Sequence, residues 1–175
     1  MATRWSEEPA RTRSDWTFVL LAVAWIGGLQ LVAGPLLRSE GFEEYLALNA
    51  RCTAFVLRTF GAAAVAEGNE LSAFGTSLRV AVGCDAVRPA FIYAGAVLAF
   101  PVSWRWRAGG LVAGVAALWV LNFGRIIGLT RVASLSTDAF RTLHVDVLPV
   151  VFVVLALVLW VLWARWALGA RWSAA

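Results

Sequence analysis

The sequence has no lysine at all, one histidine, two cysteines, one methionine and very little charge of either sign. Each shortage excludes something. A single histidine and two distant cysteines, Cys52 and Cys84, with no CxxC between them, make a zinc site improbable and rule out a disulfide framework. No cofactor is expected. Charged residues are 15% of the chain and come in clusters separated by long apolar runs, whereas hydrophobic residues reach 61% and the mean hydropathy is +0.74. Soluble domains hold an apolar share of about 45–50%. The clusters and runs are the pattern of membrane spans joined by short loops. All 15 basic residues are arginine, which base composition explains without a functional cause. A pI near 10 points to nucleic acid only in a soluble protein. Here the arginines sit in loops and at helix ends, where they set topology. The bilayer is the expected partner, and nucleic acid is not.

Four segments reach the roughly 20 residues that ~30 Å of hydrocarbon demands: Trp16–Leu37, about Ala86–Trp104, about Ala108–Arg131 and about Val145–Trp166. The first is too long for a signal-peptide core and ends without a small-residue cleavage site, so a retained span is expected. With residues 1–15 as a cytoplasmic tail, Arg4, Arg11, Arg13, Arg105, Arg107, Arg165 and Arg171 fall inside, against only Glu7, Glu8 and Asp15. Tryptophan agrees: Trp5, Trp16, Trp104, Trp106, Trp160, Trp163, Trp166 and Trp172 cluster at the same predicted inner interface. Both signals give one domain, 1–175, with both termini inside.

Tyr45–Ala66 is apolar enough for a fifth span. Arg51 and Arg58, seven apart on one helical face with Asn49 nearby, argue instead for an amphipathic helix on the outer interface. The turn signal Gly68-Asn69, and the alternation of Leu78, Val80 and Val82 with Ser77, Arg79 and Ala81, predict a short extracytoplasmic β-hairpin leading into Cys84. The expected fold is therefore all-α and polytopic, with about four transmembrane helices, an outer amphipathic helix and that hairpin.

Four residues carry candidate chemistry. Cys84 sits where the hairpin meets a helix that Asp85 can cap; the helix N-terminus and Arg88 favour thiolate there. Arg125, in LWVLNFGRIIGL, lies in the outer part of a span with Asn122 one turn before it on the same face. His144, in FRTLHVDVLP, precedes the last span, with Asp138 and Asp146 near enough in sequence to orient it, though on a helix Asp146 points differently. The topology was drawn without these residues, yet three separate segments deliver Cys84, Arg125 and His144 to the same outer face. A cysteine and a histidine make an activated thiol nucleophile, and an arginine aimed at the same point stabilises a developing oxyanion or the thiolate. Two other readings stay open: a thiol–disulfide oxidoreductase using Cys52 and Cys84, and a non-catalytic membrane assembly factor in which Asn122 and Arg125 bind helices together.

The order Cys, Asn-x-x-Arg, His, each at the outer end of a membrane helix, resembles the exosortase/archaeosortase family. GAAAVAEGNEL, VAVGCDAVRPAFIYAGAVLAFP, LNFGRIIGL and LHVDVLP look most like the short, single-domain exosortases of the XrtH kind. The likeness runs from about Gly61 to Arg165, and the first span also fits. It implies a cysteine protease or transpeptidase of the bacterial inner membrane. Its substrates would be exported proteins bearing a C-terminal sorting tail of short motif, one span and basic cluster. The nucleophile then falls on Cys84, the family arginine on Arg125, the histidine on His144, and a substrate-binding role on Asn122. One position departs: family members commonly carry Gly two residues after the cysteine, where this chain has Ala86.

Overall fold

A helix of 20 residues, α1 (Glu40–Thr59), opens the described part of the chain in this computed structural model, which describes residues 20, 23–25, 27–28 and 37–172. Most of the predicted first span, Trp16–Leu37, lies outside the described residues. Ser39 caps α1, its hydroxyl accepting from the Phe42 amide, and Glu40 and Glu43 complement the positive end of the helix. Phe42, Leu46, Ala50, Thr53, Ala54 and Leu57 recur at helical spacing and are buried, while Arg51 and Arg58 face out. The amphipathic pattern read from sequence is thus present, but the helix starts five residues earlier than Tyr45 and stops at Thr59. Asn49 is not on the polar face. It is fully buried, donating to the Tyr45 carbonyl at 2.8 Å and accepting from the Trp119 indole at 3.1 Å.

In place of a hairpin the chain forms a three-stranded antiparallel meander: β1 (Ala64–Glu67), β2 (Glu70–Ala73) and β3 (Thr76–Arg79). The expected turn at Gly68-Asn69 joins the first two strands. A second turn at Phe74-Gly75, both with positive φ (54° and 75°), joins β2 to β3. Ala64, Leu71, Ala73 and Leu78 bury the inner face of this sheet against α1 and against Ile126 and Leu129 of the long helix Trp104–Ala133.

Helix α2 (Val87–Ala99) has 13 residues, about 20 Å at 1.5 Å per residue, and so is shorter than the span predicted over 86–104. Pro101 is the cause: the residue before a proline avoids helical geometry, and Phe100 is extended at φ −72°, ψ 134°. Helix α3 (Trp104–Ala133) follows, then a continuous helical run made of α4 (Thr137–Thr142), a π-helical turn (Leu143–Val147) and α5 (Leu148–Trp172). Two helical stretches, Trp104–Ala133 and Thr137–Gly169, are long and apolar enough to cross a membrane.

Glycines let these helices approach closely. Tyr93 of α2 lies across Gly114 of α3, its hydroxyl donating to the Gly110 carbonyl at 2.8 Å, and the Trp163 indole of α5 covers Gly110. At the same end Trp106 and Trp166 meet edge to face, as Phe100 does with Trp160 and Trp163. Aromatic packing therefore closes the end where α3 begins, about 30 Å along that helix from Arg125.

A Cβ at Gly114 would overlap the Tyr93 ring, whereas one at Gly124 meets nothing within 4 Å. Gly114→Val is therefore expected to cost about 1–3 kcal/mol and to lower the melting temperature in detergent. Gly124→Ala leaves it unchanged or slightly raised.

Candidate active site

The candidate site forms where the sheet hands the chain to α2. After β3 the Val80 amide donates to the Asn69 carbonyl at 2.8 Å, and the Cys84 amide closes a tight turn on the Ala81 carbonyl at 2.9 Å. Asp85 is 2% exposed, and its carboxylate accepts from the backbone amides of Gly83 (3.2 Å) and Val87 (2.9 Å). The expected cap is thus supplied by Asp85, one residue before the N-cap position, which Ala86 occupies. Ala86 stands in the left-handed region at φ 56°, ψ 6° and is buried. Two donors from other elements fix the peptide planes of this turn. The Asn122 amide of α3 donates to the Cys84 carbonyl at 2.8 Å, and the Tyr45 hydroxyl of α1 donates to the Asp85 carbonyl at 2.7 Å. Tyr45 was not singled out from sequence, since a lone tyrosine on an amphipathic helix gives no local sign of a distant backbone partner.

The structure brings Cys84, Arg125 and His144 together. Cys84 Sγ lies 3.4 Å from His144 Nδ1 and 4.0 Å from Nε2. Arg125 shares the buried stripe of α3 with Gly114, Leu118 and Asn122 and is 7% exposed, its guanidinium carbon 5.0 Å from the centre of the Phe152 ring. Among the described residues its Nε and Nη2 have no hydrogen-bond partner, nor has Asn122 Oδ1. Phe140 stacks on the imidazole at 5.4 Å and an interplanar angle of 7°. Asp138 and Asp146, expected to orient the histidine, are exposed and make no hydrogen bond to it among the described residues. The ring is held by stacking instead.

His144 owes its place to the π-helical turn. Proline at position 149 has no amide proton, and in an α-helix its ring would press on the carbonyl four residues back, that of Val145. Widening the preceding turn relieves this, and the Leu148 amide donates to the carbonyl of Leu143, five residues back. The sequence signal was present in LHVDVLP, though nothing in it specified that the helix would widen rather than stop.

Electrostatically the turn differs from what a helix N-terminus alone suggests. Burial pushes the Cys84 thiol up; the Arg125 charge and the Ala81 contact pull it back only partly, and Asp85 adds to the rise. Arg88, expected to help, is exposed and is not among the groups acting on the thiol. Burial thus works against the thiolate at this turn, and His144 stands beside the sulfur. Cys84 itself is 3% exposed, with Phe140 and Leu143 packed against its cluster, so α4 and the π turn cover it. Cys52 is a half-buried free thiol on α1, outside that cluster. Among the described residues no three His, Cys, Asp or Glu side chains are grouped to hold a metal ion.

Two substitutions test how the site is held. Replacing Pro149 by Ala restores an α-helical ladder before α5 and rotates His144 away from Cys84. Any activity that depends on the Cys84–His144 pair should fall at least about tenfold while the melting temperature holds or rises, and retained activity would show that the π turn does not place the histidine. Ala86→Gly removes a left-handed alanine worth about 1–2 kcal/mol of strain, against an entropic cost of about 0.5–1 kcal/mol. The variant should melt higher by a few degrees with its activity retained.

No curated protein matches the chain, and no solved structure does. The family model described as transmembrane exosortase (Exosortase_EpsH) matches residues 43–161, more than half of the chain, and that stretch contains Cys84, Asn122, Arg125 and His144. The chain belongs to the transmembrane exosortase family.

Proposed function

We propose that this exosortase is a cysteine protease or transpeptidase acting on exported proteins at the outer face of the membrane, with Cys84 as nucleophile, His144 as proton acceptor and Arg125 as oxyanion stabiliser. Family membership supports protein sorting in a membrane as the general activity. The observation that carries the finer reading is the 3.4 Å approach of Cys84 Sγ to His144 Nδ1 beside a buried arginine with two uncommitted donors.

In this reading the thiol proton passes to His144 as Sγ bonds to the carbonyl carbon of the scissile peptide. The carbonyl oxygen becomes an oxyanion facing Arg125. The carbon–nitrogen bond then breaks, and the leaving amine takes its proton from His144, which leaves a thioester on Cys84. Water or a second amine attacks the thioester, giving up a proton through His144, and the thiol is regenerated. Burial disfavours a standing thiolate at Cys84, which gives the adjacent histidine its role as proton acceptor. The alternative division, with Arg125 stabilising the thiolate, uses the same atoms.

The placement follows from opposed polarity. The tryptophan cluster packs the end of the bundle where Arg105 and Arg107 lie, and Cys84, Arg125 and His144 occupy the other. We take the first end as cytoplasmic in a bacterial inner membrane, with both termini inside. The count of four spans includes the first apolar segment and α2, the latter extended by its flanking residues, with α1 on the outer interface. We take the chain as a short exosortase of the XrtH kind, a reading the order of its motifs supports, and its substrate's sorting tail as a short motif followed by one span and a basic cluster.

Cys84→Ala should abolish release of the tail from a tailed exported protein, followed by its size on gels of membrane fractions. Arg125→Lys keeps the charge but loses the planar fork, and should lower the rate about 10²–10³-fold. Unchanged processing by Cys84→Ala would overturn the assignment.

A further inference from the structure

The Asn122 side chain has two ends, and only one is used. Its NH2 group is committed to the Cys84 carbonyl at 2.8 Å, which fixes the orientation of the amide, because a carbonyl can be met only by the donor end. Oδ1 is therefore the uncommitted end, and among the described residues it has no partner although Asn122 is 0% exposed. One turn along the same face, Arg125 carries Nε and Nη2 in the same condition. Buried polar atoms without partners are rare, and each carries a desolvation cost that a ligand can remove. The three atoms form a pattern of one acceptor beside two donors, on residues whose Cβ atoms lie about 5–6 Å apart.

That pattern has a chemical complement. In an extended peptide the N–H and C=O of one residue point to the same side, as they do in the hydrogen-bonded pairs of an antiparallel ladder. We infer that Asn122 Oδ1 accepts the backbone N–H of the substrate residue whose carbonyl Cys84 attacks, while Arg125 takes that carbonyl oxygen. The inference rests on the acyl-transfer reading above and adds a substrate requirement to it. Recognition at this position is through the backbone, the residue must be extended, and proline there is excluded because it has no N–H. Asn122 thus holds the nucleophile with one end and the substrate with the other.

Two small activated probes test this on the full-length chain in detergent: the p-nitrophenyl esters of N-acetyl-leucine and of N-acetyl-N-methyl-leucine. Acylation forms the Sγ–carbon bond and breaks the ester carbon–oxygen bond. Nitrophenolate leaves with the electron pair, and the thiol proton passes to His144 and then to solvent. The rate is read from nitrophenolate release and the adduct from intact mass. Wild type should prefer the N–H ester by about tenfold or more, the loss of one buried hydrogen bond. In Asn122→Ala the preference should collapse to about one, and in Asn122→Ser likewise. Because each variant is judged by a ratio, slower acylation from a displaced Cys84 cancels. A wild-type ratio near one, or a ratio unchanged in the variants, overturns the role of Oδ1 and leaves the nucleophile assignment standing. If neither ester acylates Cys84 in wild type, the acyl-transfer reading falls and this inference with it.

Discussion

The hydrogen bond from the Asn122 amide to the Cys84 carbonyl joins two parts of the chain that would otherwise be independent. On one side is a small sheet with its covering helix α1, built from short strands and tight turns. On the other is α3, a helix of 30 residues. The bond is buried, so breaking it strands both an amide and a carbonyl away from water. It sets the height of Cys84 along α3 and leaves Arg125, three residues on, facing the same space. The Tyr45 bond to the next carbonyl acts in the same way from α1. Together they hold Ala86 in a left-handed conformation that alanine alone would leave.

Arg125 is the costliest feature of the fold. A charge at 7% exposure within a span-length apolar helix carries a large desolvation penalty, and among the described residues no carboxylate pairs with it. The Phe152 ring returns about 1–2 kcal/mol at most. Such a residue does little for stability that leucine would not do better, and its uncommitted donors have a use only when an anionic or carbonyl oxygen arrives. The same holds for the Cys84–His144 pair, whose burial works against the thiolate.

Much of this was legible in the sequence, and what was not has identifiable causes. The three candidate residues and the amphipathic character of α1 could be read because charge placement in an apolar chain is so constrained that each polar residue carries information. The sheet was half seen: Gly68-Asn69 announces a turn, but Phe74-Gly75 places a bulky residue at positive φ, which propensity argues against. Helix α2 was drawn too long because hydropathy runs on through Phe100, whereas backbone sterics before Pro101 do not. Asp138 and Asp146 are close to His144 in sequence, but a stacked Phe140 holds the ring instead. Asn49 lies near Arg51 in sequence yet is buried, and its partners, the Trp119 indole and the Tyr45 carbonyl, explain why.

The central claim is that Cys84 forms the covalent bond to the substrate. Its most direct test is to incubate membranes holding the full-length chain with a tailed exported protein, quench in acid and measure the intact mass and peptide map of the enzyme. A thioester adduct on Cys84, sensitive to hydroxylamine and forming far more slowly when His144 is replaced by Ala, is the predicted result. Substrate turnover with no adduct on Cys84 at any time point, and equal turnover by a chain lacking that sulfur, would contradict it.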